Sequence, residues 1–214
     1  MPTLVAFERQ GRSQPIRYAM AAAGKEFEDI IIDRQEWPAI KEAGTYGPDA
    51  QLPLWKDDNG KTYTQTFAML KKVCADCGFE PKNTEQLYLA EFCIETKNDI
   101  LKADQFFNVL LNPEADEAAI ESVMVVFRKL MDFVESQAAD GRKFLTGDTP
   151  TFFDFDMLYF ETGFYTNDGL RSAGFRDKLR AYYAGMEHTK RVTANLRALG
   201  TVQSVIDNLP VTFC

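Results

Sequence analysis

Hydrophobic positions near the start of the chain change spacing twice, and each change predicts a new element. Residues 3–7, TLVAF, form a short apolar run that predicts a buried strand. Ser13 to Ala23 has helical spacing and is followed by Gly24, a frequent residue just past a helix end. Phe27 to Ile32 again suits a strand. A strand, a helix and a strand within about 30 residues predict a βαβ unit with two parallel strands.

The next patterned stretch predicts a hairpin followed by a helix. Turn-forming residues Asp57 to Gly60 separate two runs suited to strands, around Leu54 and Tyr63. Pro53 lies in the first run, where it cannot donate to a sheet. The first strand is therefore an edge there, or its backbone faces a ligand.

A polar segment, Thr64-Gln65-Thr66, then precedes a helical pattern that ends at Gly78. The unpaired N–H groups at such a helix start bind carboxylate or phosphate readily. The alternative is that Pro53 only protects a sheet edge and Thr66 only caps a helix. With the βαβ unit, the hairpin and helix predict an α/β, thioredoxin-like domain over residues 1–78.

The rest of the chain has helical spacing and predicts an all-α domain over residues 84–214, after a linker at 79–83. Asn112-Pro113 interrupts the pattern. Thr151 and Asp154 form a reciprocal capping pattern that opens the apolar run Phe152 to Tyr165. The remaining predicted helical segments cover 84–111, 114–139 and 175–199.

Composition and charge narrow the possible partners. The chain has 214 residues, and 45% of them are hydrophobic, which suits a globular protein with a real core. Its 24 Lys and Arg against 32 Asp and Glu give a net charge of -8, which disfavours nucleic acid and anionic lipid. No run approaches the length of a membrane span, and the N-terminus lacks a signal-peptide pattern. We therefore expect a soluble, cytoplasmic protein without nucleic-acid or membrane partners.

The cysteines and the single histidine do not predict a metal or redox centre. Cys74 and Cys77 form a CxxC pair, but at the end of the predicted helix, where no helix dipole lowers a thiol pKa. His188 is the only histidine, which disfavours a Cys/His zinc set and a Ser-His triad. We predict no metal.

The order of these motifs resembles the cytosolic glutathione transferases. An L-P-L strand at Leu52 to Leu54, a hairpin, and Gln65-Thr66 at a helix start match the glutathione-binding half of that family, in which the proline is cis. The stretch FLTGDTPTFFDFD, which contains Thr151 and Asp154, resembles the capping signature of the family's helical domain. The pattern D-x-x-x-W-P-x-I-K at Asp33 to Lys41 resembles the sigma class. The resemblance implies the glutathione transferase architecture, glutathione as co-substrate and a homodimer.

The resemblance also implies how glutathione is held. Gln65 and Thr66 would take its γ-glutamyl carboxylate, and the backbone of Leu52 would pair with its cysteinyl backbone. Its glycyl carboxylate would face a third group of side chains, namely Trp37, Lys41 and Gln51. Phe7 and Pro53 complete the implied site.

Two of the implied roles have simpler alternatives. Trp37 and Lys41 can both donate to a carboxylate, but the tryptophan can equally serve to pin a short helix onto the sheet. Asp99 matches an acid that meets the glutamyl amine across the family's dimer, and its alternative is a solvated helix face.

The sequence departs from the family at the sulfur. Sigma, alpha, mu and pi relatives carry Tyr-Phe at the end of the first strand, whereas this chain has Ala6-Phe7. Lowering a thiol pKa from about 8.5 by about two units takes roughly 2.7 kcal/mol, and one hydrogen bond to a charged group supplies about 1.5 to 3 kcal/mol. Ser13 at the first helix start is one replacement donor, as in the delta and theta classes, or else a plain helix cap. Arg12 is the other candidate, and Arg17 is expected to pair within the domain.

Two functions from different classes follow from these residues. The first is a transferase that conjugates glutathione to, or isomerises, a small electrophilic or apolar substrate, as in detoxification. The second is a non-enzymatic glutathione- or ligand-binding protein, or a crystallin-like structural protein, on the same fold. Ala6 supports the second function, because it removes the hydroxyl group that activates the thiol in relatives.

Overall fold

A computed structural model describes residues 1–7, 11–47, 50–102 and 105–209. Two compact units divide the chain. Among the described residues, the first contains those of 1–80 and 199–209, and the second contains those of 81–198. Each unit is described by itself.

The first unit contains a four-stranded mixed sheet with the strand order β2-β1-β3-β4. Strand β1 pairs parallel with β2 and antiparallel with β3, and β3 pairs antiparallel with β4. This is the predicted thioredoxin-like arrangement of a βαβ unit followed by a hairpin and a helix. Its elements are β1 (Thr3–Ala6), α1 (Gln14–Ala22), β2 (Glu28–Ile31), α2 (Trp37–Glu42), β3 (Leu54–Lys56), β4 (Thr62–Tyr63), α3 (Thr66–Asp76) and α10 (Val202–Asp207).

The hairpin turn forms where its residues predict it. Asp57 Oδ1 accepts hydrogen bonds from the backbone N–H groups of Asn59 and Lys61, both at 2.9 Å. Gly60 has φ +80°, the left-handed conformation that glycine adopts without strain. Pro53 was expected inside the first strand, but β3 begins at Leu54, so the proline precedes the ladder.

The second unit is helical, as predicted. Phe127 lies at the centre of its core, and the rings of Phe160 and Phe175 lie 5.9 and 5.6 Å from it. The Thr151 N–H donates to Asp154 Oδ2 at 2.7 Å, and the Thr151 side chain accepts in turn from the Asp154 N–H, which confirms the reciprocal cap. The helices are α4 (Thr84–Lys102), α5 (Phe106–Leu111), α6 (Glu117–Gln137), α7 (Phe152–Phe160), α8 (Ala173–Ala184) and α9 (Glu187–Arg197), and one π turn spans Glu161–Tyr165.

Two helical segments differ from the sequence predictions. The pattern over 84–111 contains two helices, α4 and α5, and residues 103 and 104 between them lie outside the described residues. The segment 175–199 also contains two helices, because the chain turns at Gly185 between α8 and α9. No helix within the described ranges is long and apolar enough to cross a membrane.

The last helix was assigned to the helical domain, but it groups with the first unit. The Thr201 N–H donates to the Ala21 carbonyl at 3.1 Å, which brings α10 onto the end of α1. Gly200 has φ +45°, and a Cβ there would lie 2.1 Å from the Ala21 oxygen. Only glycine permits this close approach. The tail residues 210–214 lie outside the described part of the chain.

Candidate functional site

The end of β1 is a packed, apolar position. Ala6 is 2% exposed, and its carbonyl accepts a hydrogen bond from the Ile32 N–H at 2.8 Å. Val5, Ile32 and Leu54 form a small core cluster at this end of the sheet. An alanine methyl group supplies no hydrogen-bond donor here.

Trp37 and Leu52, two of the predicted site residues, both pack against that core cluster. The structure therefore brings the start of α2 and the segment before β3 to the same part of the sheet. Trp37 is half-buried, and Lys41 is exposed one helical turn further on. The packing of Trp37 matches the pinning alternative, and it leaves the proposed contact with a ligand carboxylate untested.

Phe7 lies beside this helix. Its ring meets that of Trp37 edge to face, with the centroids 5.8 Å apart. The guanidinium carbon of Arg34 lies 5.2 Å from the centre of the Phe7 ring, a cation–π distance. Sequence reasoning did not select Arg34, because nothing in the linear order places it against Phe7.

The segment Gln51 to Pro53 precedes β3. The Leu52–Pro53 peptide bond is cis, as the resemblance implies. Gln51 is exposed, and Leu52 and Pro53 are half-buried. The backbone of Leu52 makes no hydrogen bond to another residue of the described ranges.

Gln65 has an unusual backbone conformation. Its φ of +70° makes it the only non-glycine residue with a positive φ in the part of the chain that the structure describes. It is the N-cap of α3, its carbonyl accepts from the Met69 N–H at 2.9 Å, and its exposed side chain forms no cap. Thr66 follows, half-buried, as the first helical residue. Strain of this kind persists where surrounding structure enforces it, and it is concentrated at ligand sites.

Ser13 and Arg12, the two predicted thiol partners, have opposite surroundings. Ser13 is 2% exposed, and its Oγ accepts from Arg17 Nη1 at 2.9 Å. It forms no side-chain cap on α1. Arg12 is exposed. Arg17 itself binds Asp29 through two hydrogen bonds of 2.8 Å, which confirms that it pairs within the domain.

The remaining sequence predictions concern Asp99, the CxxC pair and the absence of a metal. Asp99 is exposed on α4 in the second unit, so its proposed role across a dimer stays a prediction. Burial raises the pKa of the Cys77 thiol, and the nearby charge of Lys25 lowers it by less. A thiol with a raised pKa does not favour redox chemistry at the CxxC pair. Within the described ranges no group of three or more His, Cys, Asp or Glu side chains could hold a metal ion.

Comparisons with known proteins agree with this architecture. No family model matches the chain. It is 30% identical over 121 residues to the glutathione S-transferase class-mu 28 kDa isozyme of Schistosoma japonicum, a match that spans 55% of this chain and 56% of that protein. It is 23% identical over 214 residues to probable glutathione S-transferase 9 of Caenorhabditis elegans, a match covering 98% of this chain and 97% of the relative.

Solved structures give the same fold. A monomeric glutathione S-transferase of the hookworm Necator americanus superposes with a TM-score of 0.77 at 23% identity, over 98% of this chain and 97% of that chain. The chain therefore has the glutathione transferase fold, as predicted. These relatives and solved structures are named glutathione S-transferases, and the likeness establishes the fold of this chain. They do not identify the sigma class or a homodimer, and both stay predictions.

Proposed function

We propose that this chain is a sigma-like glutathione transferase that adds the glutathione thiolate to a small electrophile, or isomerises one. The observation that carries the proposal is the conformation of Gln65 at the start of α3. Its positive φ keeps an exposed amide side chain beside a helix N-terminus. Such a helix end has unpaired N–H groups and a positive dipole, which both favour a carboxylate.

The proposed roles of the other residues follow the polarity of glutathione. Gln65 and Thr66 receive the γ-glutamyl carboxylate, and the backbone of Leu52 pairs with the cysteinyl backbone. The exposed Lys41 and Gln51, with the Trp37 N–H, receive the glycyl carboxylate. Phe7 and Pro53 supply apolar contact for the tripeptide.

Three further features belong to the same proposal. Ser13, assisted by Arg12, supplies the hydrogen bond that stabilises the thiolate. The active form is a cytoplasmic homodimer, in which the exposed Asp99 of one subunit meets the glutamyl amine bound by the other.

A second function is favoured by one specific observation. Ala6 occupies the end of β1, is 2% exposed, and has no group that can donate to sulfur. On this alternative the chain binds glutathione or an apolar ligand without catalysing its reaction, as a carrier or structural protein does.

Conjugation kinetics beside calorimetry separate the two functions. The assay uses glutathione with 1-chloro-2,4-dinitrobenzene, and titration calorimetry measures glutathione binding to the same preparation. A transferase shows saturable binding and turnover above the rate without protein. Binding without turnover supports the carrier, and the absence of glutathione binding refutes the transferase and leaves only a carrier of another, apolar ligand or a structural protein.

A further inference from the structure

Helix α2 contacts the sheet through few side chains. It has six residues, and none of them is buried. Trp37 and Ile40 are the residues by which it packs against the core cluster at the end of β1. A helix this short is marginal in water on its own, so side-chain contacts determine how its residues are oriented.

The turn before α2 brings Arg34 back towards the end of β1. The Asp33 carbonyl accepts from the Trp37 N–H at 3.2 Å, and Asp33 Oδ1 accepts from the Gln35 N–H at 2.7 Å. These two bonds close a turn around Arg34. The guanidinium carbon of Arg34 then lies 5.2 Å from the centre of the Phe7 ring, so a local turn presents this arginine to a ring that follows another element.

Phe7 links Arg34 to Trp37. The Phe7 ring centre lies 5.8 Å from that of Trp37, and the two ring planes are at 89° to each other. This distance suits an edge-to-face aromatic contact, and the distance from the Phe7 ring to Arg34 suits a cation–π contact. Because each contact constrains the orientation of the shared ring, the position of Arg34 affects that of the Trp37 indole.

The orientation of this indole matters for the ligand proposed above. Its N–H donates in one direction, within the plane of the ring, and a hydrogen bond weakens steeply when it is misaligned. We propose that Arg34 is a positioning residue for the glycyl end of glutathione, because through Phe7 it holds the Trp37 indole in the orientation that donates to the glycyl carboxylate. The inference rests on the proposed function, and it assigns Arg34 no contact with the ligand.

The role is confined to one end of the tripeptide. Gln65 and Thr66, which are proposed to bind the γ-glutamyl carboxylate, lie at the start of α3, a separate element. The dipeptide γ-glutamylcysteine lacks the glycine. Loss of Arg34 should therefore weaken the binding of glutathione and leave the binding of γ-glutamylcysteine unchanged.

Titration calorimetry of the full chain with both peptides measures the preference, which is the ratio of the two dissociation constants. Arg34→Met removes the charge but keeps a long side chain, and should reduce the preference for glutathione about two- to fivefold. Arg34→Lys keeps a cation for the ring and should retain most of the preference. Gln35→Met changes the next side chain, which is also exposed, and should leave the preference unchanged.

A change at Phe7 separates positioning from direct contact. Phe7→Leu removes the ring, so adding Arg34→Met to it should leave the preference of the Phe7→Leu chain unchanged. A further loss in that chain would show that Arg34 binds the carboxylate itself, and would overturn the proposal. An unchanged preference in Arg34→Met alone would overturn it as well. Circular dichroism checks that each variant is folded.

The indole gives a second measurement that needs no ligand. The chain has two tryptophans, and Trp37→Phe identifies which indole N–H signal in the NMR spectrum belongs to Trp37. The heteronuclear NOE of this N–H should fall in Arg34→Met, because the ring is less constrained, and should be unchanged in Gln35→Met. An equal NOE in all three chains overturns the positioning role. If the chain binds neither peptide, the proposed function fails, whereas the NOE still decides whether Arg34 orients the indole.

Discussion

Arg17 and Asp29 form a two-point ion pair in which Nε and Nη2 each donate at 2.8 Å to a different carboxylate oxygen. The pair joins α1 to the edge strand β2, and the Arg17 side chain is only 4% exposed. Arg17→Met leaves Asp29 without its partner, and we expect the free energy of unfolding to fall by about 3 kcal/mol. Urea denaturation at neutral pH measures the loss.

The exposed pair of Arg180 and Asp168 provides the control for that experiment. Arg180→Met should cost much less, because solvent screens an exposed pair. The double variant Arg17→Met, Asp29→Asn should cost less than the sum of its single changes. Additive losses would show that Arg17 stabilises the unit through its packing alone.

The close approach of Gly200 to Ala21 can be tested by adding a single methyl group at Gly200. A Cβ at Gly200 would lie 2.1 Å from the Ala21 carbonyl oxygen, whereas a Cβ at Gly24 meets nothing within 4 Å. Both glycines have positive φ, so Gly24→Ala should cost only the backbone strain, about 1 kcal/mol. Gly200→Ala should cost about 1 to 3 kcal/mol more, because α10 must move away from α1. Equal losses in thermal unfolding would mean that α10 is not held there.

Glu135 connects α6 to the start of α9 and predicts a pH dependence. Burial on its own raises the pKa of Glu135, but hydrogen bonds from the His188 N–H and from the Thr189 N–H and hydroxyl outweigh it, so the pKa is lowered. A lowered pKa stabilises the folded state above the ordinary value of 4.5, and this stabilisation is lost as the pH falls through the lowered pKa.

Glu135→Gln should therefore destabilise the protein at pH 7 by about 1 to 2 kcal/mol. The difference between Glu135→Gln and the unchanged chain should shrink as the pH falls below 4.5, the ordinary value for this group. Glu187→Gln is the control, because Glu187 lies in the first turn of α9, the helix whose start Glu135 contacts, but is exposed. A pH-independent loss for Glu135→Gln would rule out the charge as its cause. Urea midpoints between pH 3 and pH 7 supply the measurement, a range set by the ordinary carboxyl pKa.

A substitution at Gln65 should affect glutathione affinity and the stability of the protein in different ways. Gln65→Gly keeps the positive φ that the backbone requires, without the strain of a side chain, so stability should stay equal or rise by up to about 1 kcal/mol. The same change removes the amide proposed to bind the γ-glutamyl carboxylate, and should weaken glutathione binding about tenfold. Calorimetry and thermal unfolding measure the two effects. Unchanged affinity would show that the strained residue only shapes the turn.

Local sequence signals predicted the parts of the fold that local chemistry determines. The Asp57 turn and the Thr151 cap use hydrogen bonds between residues two to four positions apart, so their residue types reveal them directly. The association of α10 with α1 was missed, because it depends on a backbone carbonyl at Ala21, which every residue type has, and a backbone N–H at Thr201, which only proline lacks.

In the candidate site too, some features follow from local sequence and others depend on contacts between distant residues. The motif residues Trp37 and Leu52 were selected by spacing, and the structure packs both against one core cluster. The position of Arg34 over Phe7 depends on a contact between separate segments, so no pattern along the chain predicts it. Ser13 was selected because it lies at a predicted helix start. Its contact with Arg17, one helical turn further along α1, appears only in the folded helix.

Ser13 is the proposed donor to the glutathione thiol, and its surroundings make that role testable. Its Oγ accepts from Arg17, which leaves the hydroxyl proton available for another acceptor. Ser13→Ala should raise the pKa of the bound glutathione thiol by about one to two units, and should change glutathione affinity little. The thiolate absorbs in the ultraviolet, so a pH titration of the complex measures this pKa directly.

Three companion variants assign the effect. Ser13→Thr keeps the hydroxyl and should leave the titration near that of the unchanged chain, whereas Arg12→Gln removes the exposed charge and should raise the pKa by a smaller amount, because solvent screens it. Ala6→Tyr introduces a hydroxyl group at the end of β1. If Ser13→Ala leaves the pKa of the bound glutathione thiol unchanged while Ala6→Tyr lowers it, the Ser13 hydroxyl serves only to accept the hydrogen bond from Arg17. The protein then binds glutathione without activating it, and the non-enzymatic function becomes the better account of Ala6.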